Sequence, residues 1–399
     1  VEVEGKMEMA TEMSRIAFPY LLFISLVSLQ SGVLNSLGRF AAAAATPVLL
    51  NLVLIAAMLG FRDALETPGH VLSWSVFAAG VVQFVWLIWH CKSADFPLRL
   101  VRPRLTNKVR LLGRRILPVV FGTSLYQINL LIGTILATLV ADGAVSYLYY
   151  ADRVTQLPLG VVGVAVSTAL LPALSRQLAA GDDAAATISQ NRGLEFALLL
   201  TLPAAAALLV IALPIVTMLF ERGAFGPAET QATADALRAY ATGLPAYVLI
   251  RVLTPGFFAR EDTSTPVRIA AAVMVLNIVL NLILMQVWGH VGIALASSMA
   301  AWANAAALAV VLKRRGQLTI DDRLADRGPK IALASAGMTV GLFVGERLLV
   351  PACAGPCAAN IPSLAVLIIG SMVLYGGLAH ILGAARWSDL KALRWRGGE

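Results

Sequence analysis

Charged residues are scarce in this chain of 399 residues, at 14%, whereas about 25% is usual for soluble domains. Hydrophobic residues make up 58% of the sequence, and the apolar character continues over the whole length. This composition excludes a soluble enzyme and a disordered scaffold. A helix that crosses a bilayer needs about 20 apolar residues, so the chain has room for about ten to twelve of them. The sequence therefore predicts an all-α polytopic membrane protein.

Residues of the kinds that soluble active sites use are few. The four histidines are scattered, so no metal cluster is expected, and there is no Gly-rich phosphate loop. An enzyme acting on polyprenyl phosphates would need clustered cytoplasmic carboxylates, which the sequence lacks. We predict no enzymatic activity and no cofactor, with any energy supplied by an ion gradient or the membrane potential. Nucleic acid is not expected as a partner, because no aromatic platform accompanies the positive charge.

Eleven long apolar runs, separated by charges or by proline and glycine, predict eleven transmembrane helices. The fifth contains Pro158 and Pro172, so we expect it to be bent or partly interfacial. The predicted spans are 16–37, 41–61, 71–90, 116–140, 145–174, 194–220, 232–258, 269–287, 291–312, 331–350 and 361–382.

Positive charges divide unequally if the loops alternate between the two sides of the membrane. One side holds 23 Lys and Arg residues and the other at most six. Since cytoplasmic loops carry the excess of Lys and Arg, the C-terminus is predicted to be cytoplasmic and Val1 periplasmic. An outward start without a signal peptide favours the loss of an odd number of spans upstream. The basic segment 92–115 fits either a helix on the anionic inner leaflet or a solvated linker.

An internal repeat, weak on its own, agrees with that interpretation. Pro19 and Asn51 are 32 residues apart, and so are Pro245 and Asn277. Transporters are often built from two like halves, although one matched spacing can arise by chance. The repeat would make the fourth to ninth spans a complete lobe of six and leave three spans of the other lobe missing. We divide the chain into a lobe remnant with its basic linker (1–115), a six-span lobe (116–315), and a loop, two further spans and a tail (316–399).

Three polar residues stand inside the fifth predicted span. Asp152, Arg153 and Gln156 fall within about one helical turn and share a face. An ionisable group at mid-span costs roughly 2.5–3.5 kcal/mol on insertion scales, so this face is expected to line a cavity. The guanidinium of Arg153 can grip a phosphate or a carboxylate through two hydrogen bonds. In the alternative interpretation, which stays open, Asp152 and Arg153 neutralise each other as structural glue.

Other polar residues in the spans are weaker candidates for the cavity lining. They are Gln127 and Asn129 in the fourth span and Tyr150 beside the polar cluster. Amides in such positions more often hydrogen-bond between helices than bind a ligand. Arg251, in the seventh span, is interpreted as a structural residue that snorkels towards the cytoplasm.

Two of the three cysteines, Cys353 and Cys357, lie in the loop predicted to face the periplasm. The periplasm permits disulfides, and the Gly-Pro pair between the two residues favours a turn that brings them together. The closed loop would be very short, so strain could instead leave two free thiols.

Five motifs resemble those of the MurJ (MviN) lipid II flippase family, and the resemblance runs over essentially the whole chain. The second, fourth and fifth are together the specific ones. The motifs are FPY (18–20), YYADR (149–153), LPLGV (157–161), LFERGAF (219–225) and PGFFAREDTSTP (255–266).

The resemblance implies a fourteen-helix fold of the MOP transporter superfamily, also found in MATE transporters. Two lobes of six helices surround a central cavity, and two C-terminal helices follow. The eleven spans match the fourth to fourteenth of these helices, so the first three would be lacking. The family's cavity arginines lie on its first, second and eighth helices, and only the last has a counterpart here, Arg153. Some members carry an acidic residue at the position of Gln156, where this chain departs from them.

The implied function is transport of lipid II, an undecaprenyl-pyrophosphate-linked disaccharide-pentapeptide, from the inner to the outer leaflet of the bacterial inner membrane by alternating access. Arg153, Asp152 and Gln156 would bind this substrate, and membrane lipids and the cell-wall synthesis machinery are the expected partners. The alternatives are a MATE-type drug/cation antiporter, which should place acidic residues deep in its cavity, and a flippase for another polyprenyl-linked saccharide. A structural assembly factor without transport activity is a further alternative from a different class.

Overall fold

The computed structural model describes residues 5–61, 64–94, 96, 107–349 and 361–385, and this part of the chain is helical without any strand. The all-α class predicted from the composition is confirmed. The helices are α1 (Lys6–Ala17), α2 (Tyr20–Ser36), α3 (Phe40–Ala44), α4 (Thr46–Gly60), α5 (Pro68–Ser93), α6 (Asn107–Val140), α7 (Ala144–Ala179), α8 (Asp183–Val210), α9 (Ala212–Phe220), α10 (Pro227–Ala241), α11 (Leu244–Phe258), α12 (Ser264–Arg314), α13 (Asp322–Leu349) and α14 (Ile361–Ile381).

Local sequence signals explain where several of these helices begin. The side chain of Thr67 caps α5, whose first residue is Pro68, a position where the missing N–H of proline costs nothing. The carboxylate of Asp182 accepts a hydrogen bond of 2.9 Å from the backbone N–H of Ala185 and so caps α8. Polar side chains thus satisfy backbone donors where the apolar helices start.

Eight helices or helix pairs of the described residues are long and apolar enough to cross a membrane. The expectation of a polytopic membrane protein is confirmed. Each of the eleven predicted spans overlaps a helix, but the number eleven itself stays a prediction. The fifth predicted span is one helix, α7, which continues through Pro158 and Pro172.

The chain forms two compact units, Val1–Leu111 and Leu112–Glu399. In the first, α2 and α4 pack against α5, with Leu34 and Leu87 fully buried between the helices. The side chain of Gln83 donates a hydrogen bond of 2.7 Å to the backbone oxygen of Thr46, and so joins α5 to α4. A buried amide bonded to a backbone carbonyl of the neighbouring helix stabilises this packing without any charge.

The second unit contains α6 to α14 and two large apolar cores. One joins α7 to α9, α10 and the second half of α12, and the other joins α7 to α8, α11 and α13. Alanines are frequent among the buried residues, which lets the helices approach closely. Since α7 contributes to both cores, its orientation about its own axis is fixed along most of its length.

A network of charges joins α8 to the first turns of α13. The carboxylate of Glu195, only 7% exposed, accepts hydrogen bonds from Arg327 at 2.6 Å and from Arg323 at 3.0 Å. Arg192 bonds to the same carboxylate and to Asp321. The desolvation cost of a buried charge is tolerated only where partners of this kind surround it.

Residue 289 interrupts α12, because Gly289 has φ 55° and ψ −133°. The sequence predicts two spans here, one ending at residue 287 and the next starting at 291, and the break falls between them. Residues with a side chain rarely adopt this conformation, which costs them about 1–3 kcal/mol. Glycine therefore allows the chain to turn back without a longer loop.

Gly289→Ala is expected to lower the apparent melting temperature of the purified protein, corresponding to a loss of about 1–3 kcal/mol in the free energy of unfolding. The added Cβ would be strained by the backbone conformation and would lie 3.2 Å from a methyl group of Val140. Gly370→Ala is the matched control, since position 370 is exposed within α14 and a Cβ there meets nothing within 4 Å. Equal melting temperatures for the two variants would contradict the interpretation.

Candidate functional site

The polar residues predicted to form a site lie in the third turn of α7. Ala151 and Val154 are buried in the core of the second unit, whereas Arg153 and Gln156 are exposed and Asp152 is half-buried. The apolar residues thus fix the rotation of α7, and this rotation turns the polar side chains away from the packed core. The predicted common face of the three residues is present in the structure.

Gln156 connects the two charged groups of this cluster. Its amide nitrogen donates a hydrogen bond to the carboxylate of Asp152, and its amide oxygen accepts one of 3.3 Å from Nη1 of Arg153. The guanidinium carbon of Arg153 also lies 4.8 Å from the ring centroid of Tyr149, a cation–π contact. Because a guanidinium has five N–H donors, this arrangement leaves donors that can bind an anion. The role of these residues in substrate binding stays a prediction.

Tyr150 packs into an aromatic cluster beside the polar residues. Its ring centroid lies 4.7 Å from that of Phe220 and 5.6 Å from that of Phe225. The LFERGAF segment thereby contacts the YYADR segment and helps to hold the start of α7. The sequence contains both motifs but does not predict that they touch, because 70 residues separate Tyr150 from Phe220. Whether Tyr150 also lines a cavity stays a prediction.

The remaining predicted site residues lie apart from this cluster along the chain. Gln127 is exposed and Asn129 half-buried, both on α6, and Oδ1 of Asn129 is a buried atom without a partner among the described residues. Cys353 and Cys357 lie outside the described residues, so their disulfide stays a prediction. Within the described part of the chain, no three His, Cys, Asp or Glu side chains approach closely enough to hold a metal ion.

The PGFFAREDTSTP segment forms a tight connection between α11 and α12. Asp262 accepts hydrogen bonds from the backbone N–H of Thr265 at 3.0 Å, from its hydroxyl at 2.6 Å and from Nη1 of Arg315 at 2.7 Å. The Arg315 guanidinium, followed by the Thr265 groups, holds the pKa of Asp262 well below its usual range. Asp262 thus links Thr265, in the first turn of α12, to Arg315, the residue that follows the last turn of α12. From the sequence alone, Asp262 looks like an ordinary loop charge.

A sequence model of the family described as "Lipid II flippase MurJ" matches residues 3–350. The chain belongs to the lipid II flippase MurJ family. It is 44% identical over 389 residues to the probable lipid II flippase MurJ of Rhizobium meliloti (strain 1021), with 96% of this chain and 72% of the relative aligned. The corresponding protein of Vibrio cholerae is 38% identical over 345 residues, which are 85% of this chain and 65% of the relative. Both the α7 cluster and the Asp262 connection lie inside the matched range.

Solved structures of MurJ and of MATE transporters share this fold. A lipid II flippase MurJ in an inward closed conformation superposes with a TM-score of 0.78 at 24% identity, over 96% of this chain and 75% of that one. An inward-facing multidrug resistance MATE family transporter of the MOP superfamily gives a TM-score of 0.70 at 16% identity, over 78% of this chain and 72% of that one. At such identities the likeness concerns the fold, and it confirms the MATE/MOP-like architecture expected from the sequence.

Proposed function

We propose that this MurJ-family chain acts as a transporter, not as an enzyme, and moves lipid II from the inner to the outer leaflet of the bacterial inner membrane. The observation that carries the proposal is the family match over residues 3–350, with relatives up to 44% identical named as probable lipid II flippases. Alternating access would be powered by an ion gradient or the membrane potential. Membrane lipids and the cell-wall synthesis machinery are the partners that this role requires.

Within this function, Arg153 binds the diphosphate of the lipid carrier, and Asp152 and Gln156 orient the guanidinium. A guanidinium keeps its charge in a cavity of low dielectric constant and matches the geometry of two phosphate oxygens. The hydrogen bond from Arg153 to Gln156 supports the proposal, because it restrains the side chain before an anion arrives. A restrained side chain loses less conformational entropy on binding.

A transport measurement tests the function directly. The purified protein would be reconstituted into vesicles that contain labelled lipid II, and the appearance of label at the opposite leaflet would be followed against protein-free vesicles. The proposal expects accelerated exchange that depends on the protein. Exchange no faster than in protein-free vesicles would contradict it, and drug or cation exchange in the same vesicles would favour the MATE-type alternative. Faster movement of a polyprenyl-linked saccharide without a peptide would favour the other alternative.

The proposed orientation predicts that the loops at 92–115 and 313–330 are cytoplasmic and that the loop at 350–360 is periplasmic. A reporter fused after Gly316 should therefore be active only as a cytoplasmic reporter, and one fused after Pro356 only as a periplasmic reporter. The physical reason is that 23 of the Lys and Arg residues fall on the predicted cytoplasmic side. Finding both fusions in the same compartment would refute this orientation.

A further inference from the structure

Arg251 lies in the middle of α11 and extends across to α7. A Cβ added at Gly163 of α7 would lie 2.8 Å from Cδ and 3.0 Å from Cζ of Arg251, and closer still to Nη1. The guanidinium therefore lies directly over the glycine, in space that any other residue at position 163 would fill. Arg251 is itself exposed, and no carboxylate among the described residues forms an ion pair with it.

Gly163 lies on the same face of α7 as the polar cluster. It follows Gln156 by seven residues, which is close to two full turns, so the two positions differ by only about 20° around the helix. Along the axis they are about 10 Å apart, and Arg153 is about 15 Å from Gly163. Arg153 itself is about 80° from Gly163 around the helix. The face of α7 that carries Asp152 and Gln156 thus also carries the guanidinium of Arg251, at a second level nearer the predicted cytoplasmic end.

The location of this guanidinium is not that of a snorkelling arginine. A snorkelling side chain places its charge at the end of a span, where water or lipid head groups reach it. Gly163 is instead close to the middle of α7, with 19 residues before it and 16 after it in the helix. A charge at that depth is expected to face a polar cavity or to serve a function.

We propose that Arg251 is a second anion-binding residue, which holds the diphosphate of the lipid-linked substrate when its head group lies closer to the cytoplasmic end of α7 than Arg153 does. This inference rests on the proposed function and adds a binding position to it. The two levels are about 15 Å apart along the axis of α7, which exceeds the length of two phosphates joined by one oxygen, so in this proposal the diphosphate contacts the two arginines in turn. Because position 163 is a glycine, the guanidinium of Arg251 can pack directly against α7.

Binding measurements in an Arg153→Gln background isolate this second position, since the first is then disabled. The purified protein, in nanodiscs of neutral lipid, would be titrated with undecaprenyl diphosphate, and undecaprenol would report binding of the lipid chain alone. Adding Arg251→Gln should weaken diphosphate binding by about tenfold, as expected for loss of a hydrogen-bonded charge, and leave undecaprenol binding unchanged. Arg251→Lys should weaken diphosphate binding by only about threefold, because the charge is retained.

Two further variants make the test specific. Arg268→Gln, added to the same background, removes an exposed arginine from the start of α12 and should leave binding unchanged. Gly163→Ala keeps every charge but displaces the guanidinium, so it should weaken binding at least about threefold, and it serves in place of Arg251→Gln if that protein does not accumulate. Unchanged binding in both Arg251→Gln and Gly163→Ala would overturn the inference alone. If the protein without any substitution binds undecaprenyl diphosphate no better than undecaprenol and moves no lipid II, the proposed function fails as well.

Discussion

Arg153→Ala is expected to abolish lipid II translocation in reconstituted vesicles while leaving the amount of protein in the membrane near normal. The guanidinium is exposed on the face of α7 opposite to its packed residues, so its removal opens no cavity in the core. It does remove the donors proposed to bind the diphosphate. In cells that depend on this protein, lipid II should accumulate in the inner leaflet and growth should cease.

Companion substitutions separate binding from a structural role. Arg153→Lys should translocate lipid II more slowly but still be active, because an ammonium keeps the charge but cannot form bidentate hydrogen bonds to a phosphate. If Arg153 instead has a structural role as the partner of Asp152, the Arg153→Ala protein should be depleted from the membrane, and Asp152→Asn should be equally damaging. A well-folded Arg153→Ala protein that translocates lipid II at the unsubstituted rate would eliminate the proposed role.

Glu195→Ala is expected to destabilise the protein strongly, by about 3–5 kcal/mol, because it removes the buried carboxylate to which the buried guanidinium of Arg327 donates. Arg323 loses a bond to the same carboxylate, and Arg192 loses one of its two, since its pair with Asp321 remains. The measurement is the apparent melting temperature in detergent, together with the amount of protein recovered from membranes.

An exposed ion pair on α13, the helix that carries Arg327, provides the control for Glu195. Asp326 pairs with Lys330 at 2.6 Å, but its side chain is 61% exposed. Water already solvates such a pair, so Asp326→Ala should change stability by less than about 1 kcal/mol. If the two variants melt at the same temperature, the buried network does not stabilise the fold as argued.

The polar cluster of α7 could be predicted from the sequence because it depends on spacing within a single helix. Residues 152, 153 and 156 share a face in any α-helix, and the buried Ala151 and Val154 supply the opposite face. The break at Gly289 could be anticipated for a similar reason, since a long apolar run must turn where it has crossed the membrane once. Both features are local.

Contacts between helices could not be predicted in this way. The bonds of Glu195 to Arg323 and Arg327 join residues more than 120 positions apart, and so do not follow from any helical period. They depend on how far each helix is rotated about its own axis when it packs. The same holds for Arg251, whose position about two turns before the end of its predicted span suggests snorkelling, whereas packing places its guanidinium on Gly163. In the sequence, the one sign of this contact is that position 163 of the facing helix is a glycine.

The attachment of the last two helices to α8 has a consequence for the transport cycle. Besides the Glu195 network, the hydroxyl of Tyr375 on α14 donates a hydrogen bond of 2.7 Å to the backbone oxygen of Leu199 on α8. With α13 and α14 fastened at two levels, the three helices form one rigid body during any rearrangement that leaves these bonds intact. Spin labels at Ile188 on α8 and Val373 on α14, both exposed, would then report a single distance in every state of the cycle. A lipid chain resting on α13 and α14 would accordingly be carried along with α8.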